Sequence, residues 1–186
     1  MRKDQPNALP PKIFSHPVPV DEIPEQGIDV TLSADAPTRE ALAKADGLVG
    51  IAALDADFHV ARQGLSRFNV TGTVRAKITQ TCVLTLEPFD SDFVEEVDTD
   101  FAEPSVAARA AAEADALSGT AHPAERDPPD PIENGAIDLG ALAAEFLALG
   151  LDPYPHKPGA EFAPISDPHD AAERPFDVLK KLTGQS

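Results

Sequence analysis

The 186-residue chain has 32 acidic against 15 basic side chains, which gives a formal net charge of −17. This charge disfavours bare nucleic acid as a partner and favours basic proteins. The sequence has no run of about 18 apolar residues, so we expect a cytoplasmic protein without a membrane partner. A single cysteine cannot form an internal disulfide, so core packing must hold the fold together.

Six prolines occur in residues 1–24 and predict an extended or irregular segment there. The first clear strand is predicted at residues 27–33. Asp35 and Pro37 then provide a helix cap and a first-turn proline, so a short helix is expected over residues 38–45.

Two strands follow, the first at residues 48–61. From Phe68 to Leu86 nearly every even-numbered residue is apolar or small and the odd-numbered residues are polar, which is a β pattern. A strand of that length would exceed about 60 Å at about 3.3 Å per residue. We therefore expect a bend or turn near residues 79–81, or coiling around a barrel.

A further strand is predicted from Phe93, Val97 and Phe101, with its hairpin joint at residues 87–91. Residues 25–101 thus form an antiparallel meander with one short helix. Residues 102–131 are rich in Ala, Pro and acidic side chains and predict a flexible insertion, in which residues 106–117 favour a transient helix.

Residues 132–186 are expected to be ordered and to form a helical part that packs on the same domain. Asp138 is placed to cap a helix that ends near Gly150 and inserts Phe146 against the sheet. Pro175 opens a short final helix. The predicted fold is α+β, a twisted antiparallel sheet or partly closed barrel packed by a C-terminal helix.

Three motifs stand in order along the chain: CVLTLEP at residues 82–88, IDLG at residues 137–140 before the main helix, and PFDVLKKL at residues 175–182. Together they resemble the YceD family of large ribosomal RNA subunit accumulation proteins, from about residue 14 to residue 182 with the middle linker unmatched. The resemblance implies a non-catalytic factor, without a cofactor, that supports large ribosomal subunit assembly and accumulation of 23S rRNA.

The chain departs from the family pattern at its cysteines. Many members carry C-x-x-C where this chain has Cys82 and Thr85, and some carry further cysteines where it has residues 153–156. A four-ligand zinc site is therefore not available, and we expect no metal. Cys82 lies on the apolar face of its strand, which predicts burial as a small hydrophobic side chain. Arg174 replaces the Asn that would cap the final helix.

Acidic side chains dominate residues 87–103, and no basic residue occurs between Lys77 and Arg109. Strand geometry puts Glu96, Asp98 and Asp100 on one face. One interpretation is a contact surface for a basic ribosomal protein or another assembly factor on the precursor large ribosomal subunit. The other is a solvated strand edge that charge protects from aggregation.

Two further hypotheses remain open. Four basic residues would carry direct ribosomal RNA contact: Arg62, Arg67, Arg75 and Lys77. Alternatively, dispersed acidic residues converge in the fold to form a hydrolase, which a buried carboxylate pair in a cleft would support. The five histidines lack ligand spacing, and the sequence predicts no catalytic residue.

Overall fold

The computed structural model describes residues 12–117 and 127–161. The described residues form seven strands and three helices: β1 (Pro17–Pro19), β2 (Ile28–Ser33), α1 (Ala36–Ala45), β3 (Gly50–Arg62), β4 (Arg67–Thr81), β5 (Pro88–Ala102), α2 (Pro104–Leu117), β6 (Asp130–Pro131), β7 (Ala136–Asp138) and α3 (Leu139–Gly150).

The main sheet has the order β2-β3-β4-β5-β6, and β1 pairs with β7 in a separate two-stranded sheet. The α+β class and the covering C-terminal helix are confirmed. The first four strands are antiparallel, but β6 runs parallel to β5, so the sheet is mixed. Within the described residues the sheet does not close into a barrel, because no strand pair joins β2 to β6.

The strand and helix predictions before residue 82 are confirmed. Asp35 caps α1, and its carboxylate accepts a hydrogen bond from the Thr38 amide at 2.9 Å. Hydrogen bonds from the Thr38 hydroxyl and from the Thr38 amide lower the pKa of Asp35. The Asp35 carboxylate satisfies one of the amides that the first helical turn leaves without a backbone acceptor, and this cap fixes where the helix begins.

The long alternating segment reverses directly after Thr81, as its length requires. β5 begins at Pro88, so the hairpin joint is residues 82–87 and the prediction of 87–91 was wrong. The Leu86 amide donates to the Cys82 carbonyl at 2.9 Å, and Leu86 has a φ of 59°. The alternation of Leu84 and Leu86 therefore belongs to a turn and does not extend the buried strand face.

The core lies between the apolar sheet face and the helices α1 and α3. Leu42 of α1 and Leu147 of α3 join one buried cluster with Leu54, Val60 and Val74 of the central strands. Both helices therefore cover the same face, and the periodicity that predicted each element also predicts which side chains it buries.

The predicted irregular N-terminus contains β1, which ties this segment to the start of α3. Oδ1 of Asp138 accepts hydrogen bonds from the His16 amide at 2.8 Å and the Ala141 amide at 3.1 Å. At Gly140, an added Cβ would lie 2.7 Å from the His16 backbone nitrogen. The D-L-G motif thus combines a helix cap with a glycine that permits close backbone approach.

The segment predicted as a flexible insertion contains α2 and β6. Ala107 is buried, and the Ile132 amide donates to the Ala102 carbonyl at 2.8 Å. These contacts place the start and the end of residues 102–131 against β5. The domain boundaries themselves stay predictions, and the predicted final helix at residues 175–182 lies outside the described residues.

Candidate protein-binding surface

The face of the main sheet opposite α1 and α3 is here called the open face. By strand register it carries the odd-numbered residues of β2 and β4, those of β3 from Ala53 onward, and the even-numbered residues of β5. Its Lys and Arg side chains are Arg67, Arg75 and Lys77. Its acidic side chains are Asp29, Asp55, Asp57, Asp90, Asp92, Glu96, Asp98 and Asp100. The open face is therefore strongly acidic, and only Asp100 among these acids is partly buried.

Hydrogen bonds and ion pairs connect neighbouring strands across the open face. Arg75 pairs with Asp57 at 2.7 Å and Lys77 pairs with Asp92 at 3.2 Å. Thr31 also donates to Asp57, at 2.9 Å. Exposed pairs of this kind each stabilise a fold by only about 0–1 kcal/mol. Their main effect is to hold the side chains in place and to neutralise the positive charges of Arg75 and Lys77.

The structure brings Glu96, Asp98 and Asp100 together in one row on the open face, as strand geometry predicted. Asn69 Nδ2 donates hydrogen bonds to Oδ1 of Asp98 and Oδ1 of Asp100, each at 2.8 Å. Glu96 lies opposite Thr73 of β4. One amide thus positions two carboxylates of the row; a role of the row in partner binding stays a prediction.

The four basic residues of the RNA hypothesis lie in different places. Arg62 pairs with Phe68 in register, which puts it on the apolar side. Its Nη2 donates to the carbonyls of Val20 at 2.8 Å and Ile23 at 3.0 Å, and its guanidinium lies 5.0 Å from the centre of the Phe68 ring. This arginine therefore tethers the N-terminal segment.

Arg67 lies at the far end of β4 from Arg75 and Lys77. The eight residue steps from Arg67 to Arg75 span about 27 Å of extended strand. With Arg75 and Lys77 each paired to a carboxylate, the described residues do not join the four into one basic patch. Direct RNA contact by these residues stays a prediction.

Cys82 is fully buried, as predicted, but its surroundings are polar. The Thr85 hydroxyl, the Lys157 amide and further backbone amides lower the thiol pKa from 9.0 to about 6. The Val83 amide donates to the Pro155 carbonyl at 3.0 Å. Sequence reasoning found nothing to activate this thiol, because Lys157 comes from a distant segment that only the fold brings close.

An ion pair between Lys157 and Glu87 lies beside Cys82. Lys157 Nζ lies 2.8 Å from Glu87 Oε2, which lowers the pKa of Glu87 and raises that of Lys157. The hairpin joint at residues 82–87 and the segment at residues 155–157 thus meet through hydrogen bonds and this ion pair. In residues 12–117 and 127–161, no group of three or more His, Cys, Asp and Glu side chains could hold a metal ion.

Within residues 12–117 and 127–161, burial raises the pKa of the carboxyl groups of Asp46 and Asp130. Asp46 follows α1, whereas Asp130 lies in β6 beside Phe101. Asp130 lines a cavity to which Asp46 does not contribute. The carboxylate pair in a cleft that would support the hydrolase hypothesis is therefore not formed by these two groups.

Sequence reasoning missed a groove between the end of β5, residues 127–130 and α3. It holds a cavity of about 560 Å³ with Leu142, Phe146 and Leu149 on its helical side. Phe146 packs against the core but stays partly exposed, and Leu149 is 75% exposed. One sequence feature could have indicated this groove: residues 142, 146 and 149 lie at helical spacing and widen the apolar stripe of α3.

Comparison with known protein families agrees with the motifs. The family model described as Large ribosomal RNA subunit accumulation protein YceD matches residues 70–183, more than half of the chain. The chain belongs to the YceD family. The YceD match begins in β4, so residues 14–69, included in the sequence resemblance, lie outside it.

Searches of curated proteins and of solved structures found no match. None of the helices in the described part of this YceD family member is long and apolar enough to cross a membrane. The family description concerns the ribosomal RNA of the large subunit.

Proposed function

We propose that this YceD family member is a non-catalytic cytoplasmic factor that supports assembly of the large ribosomal subunit and accumulation of its ribosomal RNA. It contacts the precursor subunit through a basic ribosomal protein or another assembly factor. Family membership supports the ribosomal part of this proposal. The charge of the open face supports the proposed mode of contact.

The observation that carries the mode of contact is the acidic row on the open face, in which Glu96 and Asp98 are exposed and Asp100 is partly buried. Proteins that bind RNA present Lys and Arg to phosphate, so they are basic before they bind. An acidic surface complements such a partner and accelerates the encounter, while it repels RNA itself. The net charge of −17 acts in the same direction.

Depletion tests the ribosomal role directly. Cells depleted of the protein should contain less mature large subunit and less of its ribosomal RNA, measured by sucrose gradients and RNA quantification. The tagged protein should sediment with large-subunit precursors. Unchanged gradient profiles and RNA levels, including under cold stress, would remove the support for an assembly role.

A triple charge reversal tests the surface. Glu96→Lys, Asp98→Lys and Asp100→Lys together should weaken cosedimentation with precursors by about tenfold or more, because attraction becomes repulsion. Three exposed acids in the loop before β2 provide a control with the same change in net charge: Asp21→Lys, Glu22→Lys and Glu25→Lys. Circular dichroism should show that both variants remain folded.

Salt and ribonuclease separate protein contact from RNA contact. Association through exposed charges should fall as salt rises, since the screening length is about 10 Å at 0.1 M salt. It should survive ribonuclease if a protein is the partner. Binding that the triple reversal leaves intact but ribonuclease abolishes would instead favour the hypothesis of direct RNA contact.

A further inference from the structure

A buried glutamine interrupts the apolar series of β4 near the end of the strand. Gln80 is only 8% exposed and, two positions after Ile78, lies on the apolar sheet face. Its Oε1 accepts a hydrogen bond from the Ser91 hydroxyl at 3.2 Å. Within residues 12–117 and 127–161, its Nε2 donates to no partner. A buried amide donor costs stability unless a ligand or another segment satisfies it.

Gln80 lines a cavity of about 260 Å³ where β5 begins and α3 ends. Phe89 and Phe93 of β5 line the same cavity, and so do Leu151 and Pro155 from the segment after α3. An apolar cavity of about 150 Å³ already holds a benzene ring. This cavity therefore has room for one aromatic side chain, with an amide donor beside it.

The helix α3 is too short to cover the apolar sheet face along its whole length. The fifteen residues of β4 extend about 50 Å, whereas the twelve residues of α3 extend about 18 Å. At Gly150, where α3 ends, an added Cβ would lie 2.8 Å from ring atoms of Phe93. The helix thus ends against Phe93, and the part of the sheet face at Ile78 and Gln80 lies beyond it.

The chain leaves the described residues close to this cavity. Pro155 and His156 line it, and the described part ends at Glu161. Thirteen residues, 162–174, separate Glu161 from Pro175 in the sequence. A random-coil linker of that length has an end-to-end distance of roughly 20 Å. Residues 175–182 are therefore within reach of the cavity.

Residues 174–182, with the sequence RPFDVLKKL, have the composition that this cavity favours. They contain Phe176 and three basic side chains against the single acid Asp177. Asp92 and Asp152 line the cavity, and none of its described lining residues is Lys or Arg. Lys77 pairs with Asp92 at 3.2 Å, so Asp152 is the carboxylate of the two without a lysine partner at that distance. Opposite charges favour the approach of this segment.

We propose that the cavity beside Gln80 binds the chain's own residues 175–182, with the Phe176 ring inside it. A backbone carbonyl of the segment accepts a hydrogen bond from Gln80 Nε2. The YceD match over residues 70–183 includes both the residues that line the cavity and this segment. Attachment to the same chain raises the local concentration of the segment to the order of millimolar, which favours it over a free competitor.

NMR spectroscopy of the natural full chain tests the contact directly. Nuclear Overhauser effects should connect the Phe176 ring with the Ile78 methyl groups and with the Gln80 side-chain amide. In a mixture of labelled and unlabelled chains, these signals should arise within one chain. Signals between chains would overturn the proposal in favour of a second copy, and the absence of any signal from Phe176 to the cavity would overturn it outright.

A fluorescent peptide of sequence RPFDVLKKL measures how accessible the cavity is. In the natural protein the attached segment competes with the peptide, so full-length Phe176→Ala should bind the peptide at least about tenfold more tightly. A control peptide with alanine in place of the phenylalanine should bind Phe176→Ala about tenfold more weakly than the first peptide does, because it buries no ring.

Gln80→Met tests the amide, since methionine is similar in length but has no donor. Added to Phe176→Ala, it should weaken binding of the peptide by about fivefold. Gln63 is an exposed glutamine in the loop after β3, so Gln63→Met is the matched control and should change binding by less than about twofold. Circular dichroism should show that each variant remains folded.

Equal binding of the peptide by the natural protein and by Phe176→Ala, or binding that Gln80→Met leaves unchanged, would overturn the proposal. If Phe176→Ala does not fold, the NMR contacts in the natural protein decide alone. Neither experiment depends on ribosomes. Depletion without a ribosomal effect would therefore refute the proposed function and leave the result on the cavity standing.

Discussion

The two faces of the main sheet are built from the same strands, yet they differ in almost every physical respect. The covered face buries Leu54, Val60 and Val74 beneath α1 and α3. The open face presents acids, threonines and three basic residues, connected mainly by exposed polar contacts. Burial of apolar area stabilises far more than exposed ion pairs do. The comparison teaches that apolar burial on one face holds the fold, whereas the exposed polar contacts of the other face contribute little to its stability.

The largest expected effect lies on the covered face. Phe68 is 2% exposed and packs within the core. Phe68→Ala should lower the free energy of unfolding by about 3–5 kcal/mol through lost transfer energy and a cavity. Thr73→Ala on the open face should cost less than about 1 kcal/mol. Urea titration measures both, and comparable losses would contradict the division between the faces.

A close approach between β3 and β4 gives a smaller effect. Gly72 lies opposite Phe58, and an added Cβ would lie 2.1 Å from the Asp57 carbonyl oxygen. Gly72→Ala should therefore destabilise by about 1–3 kcal/mol, because backbone atoms must move apart.

Gly50 serves as the control for Gly72, since an added Cβ there would meet no atom within 4 Å. Gly50→Ala should be neutral or slightly stabilising, because alanine reduces the freedom of the unfolded chain. If thermal melts show the two alanine variants to be equally stable, close packing at Gly72 does not constrain the covered face.

A pH-dependent effect tests where the covered face ends. Cys82 continues the even-numbered apolar series, yet hydrogen bonds lower its thiol pKa to about 6. A depressed pKa means that the folded state favours the thiolate. Its contribution is fully present above the ordinary pKa of 9.0 and is lost as pH falls through about 6.

The free energy of unfolding of the natural protein, minus that of Cys82→Ala, should therefore rise between about pH 6 and pH 9. Denaturant titrations at several pH values measure this difference. A pH-independent difference would show that Cys82 acts only as a buried apolar side chain and belongs to the covered face.

The sequence determined most of the local structure. The alternation in β4 predicted which side chains are buried, and Asp35 and Asp138 predicted where α1 and α3 begin, because hydrogen bonds within a few residues decide both. The acidic row was likewise foreseeable, since residues two apart on a strand share a face. These features depend on near neighbours in the chain.

Tertiary structure alone decided the rest. Arg62 binds carbonyls of the N-terminal segment, Cys82 meets Lys157, and β6 pairs in parallel with the end of β5. The strand β1 was missed because its prolines disfavour a sheet by propensity, whereas pairing with β7 compensates for them. Periodicity specifies an element and its buried face, but not which distant segment will pack beside it, because that depends on contacts throughout the folded chain.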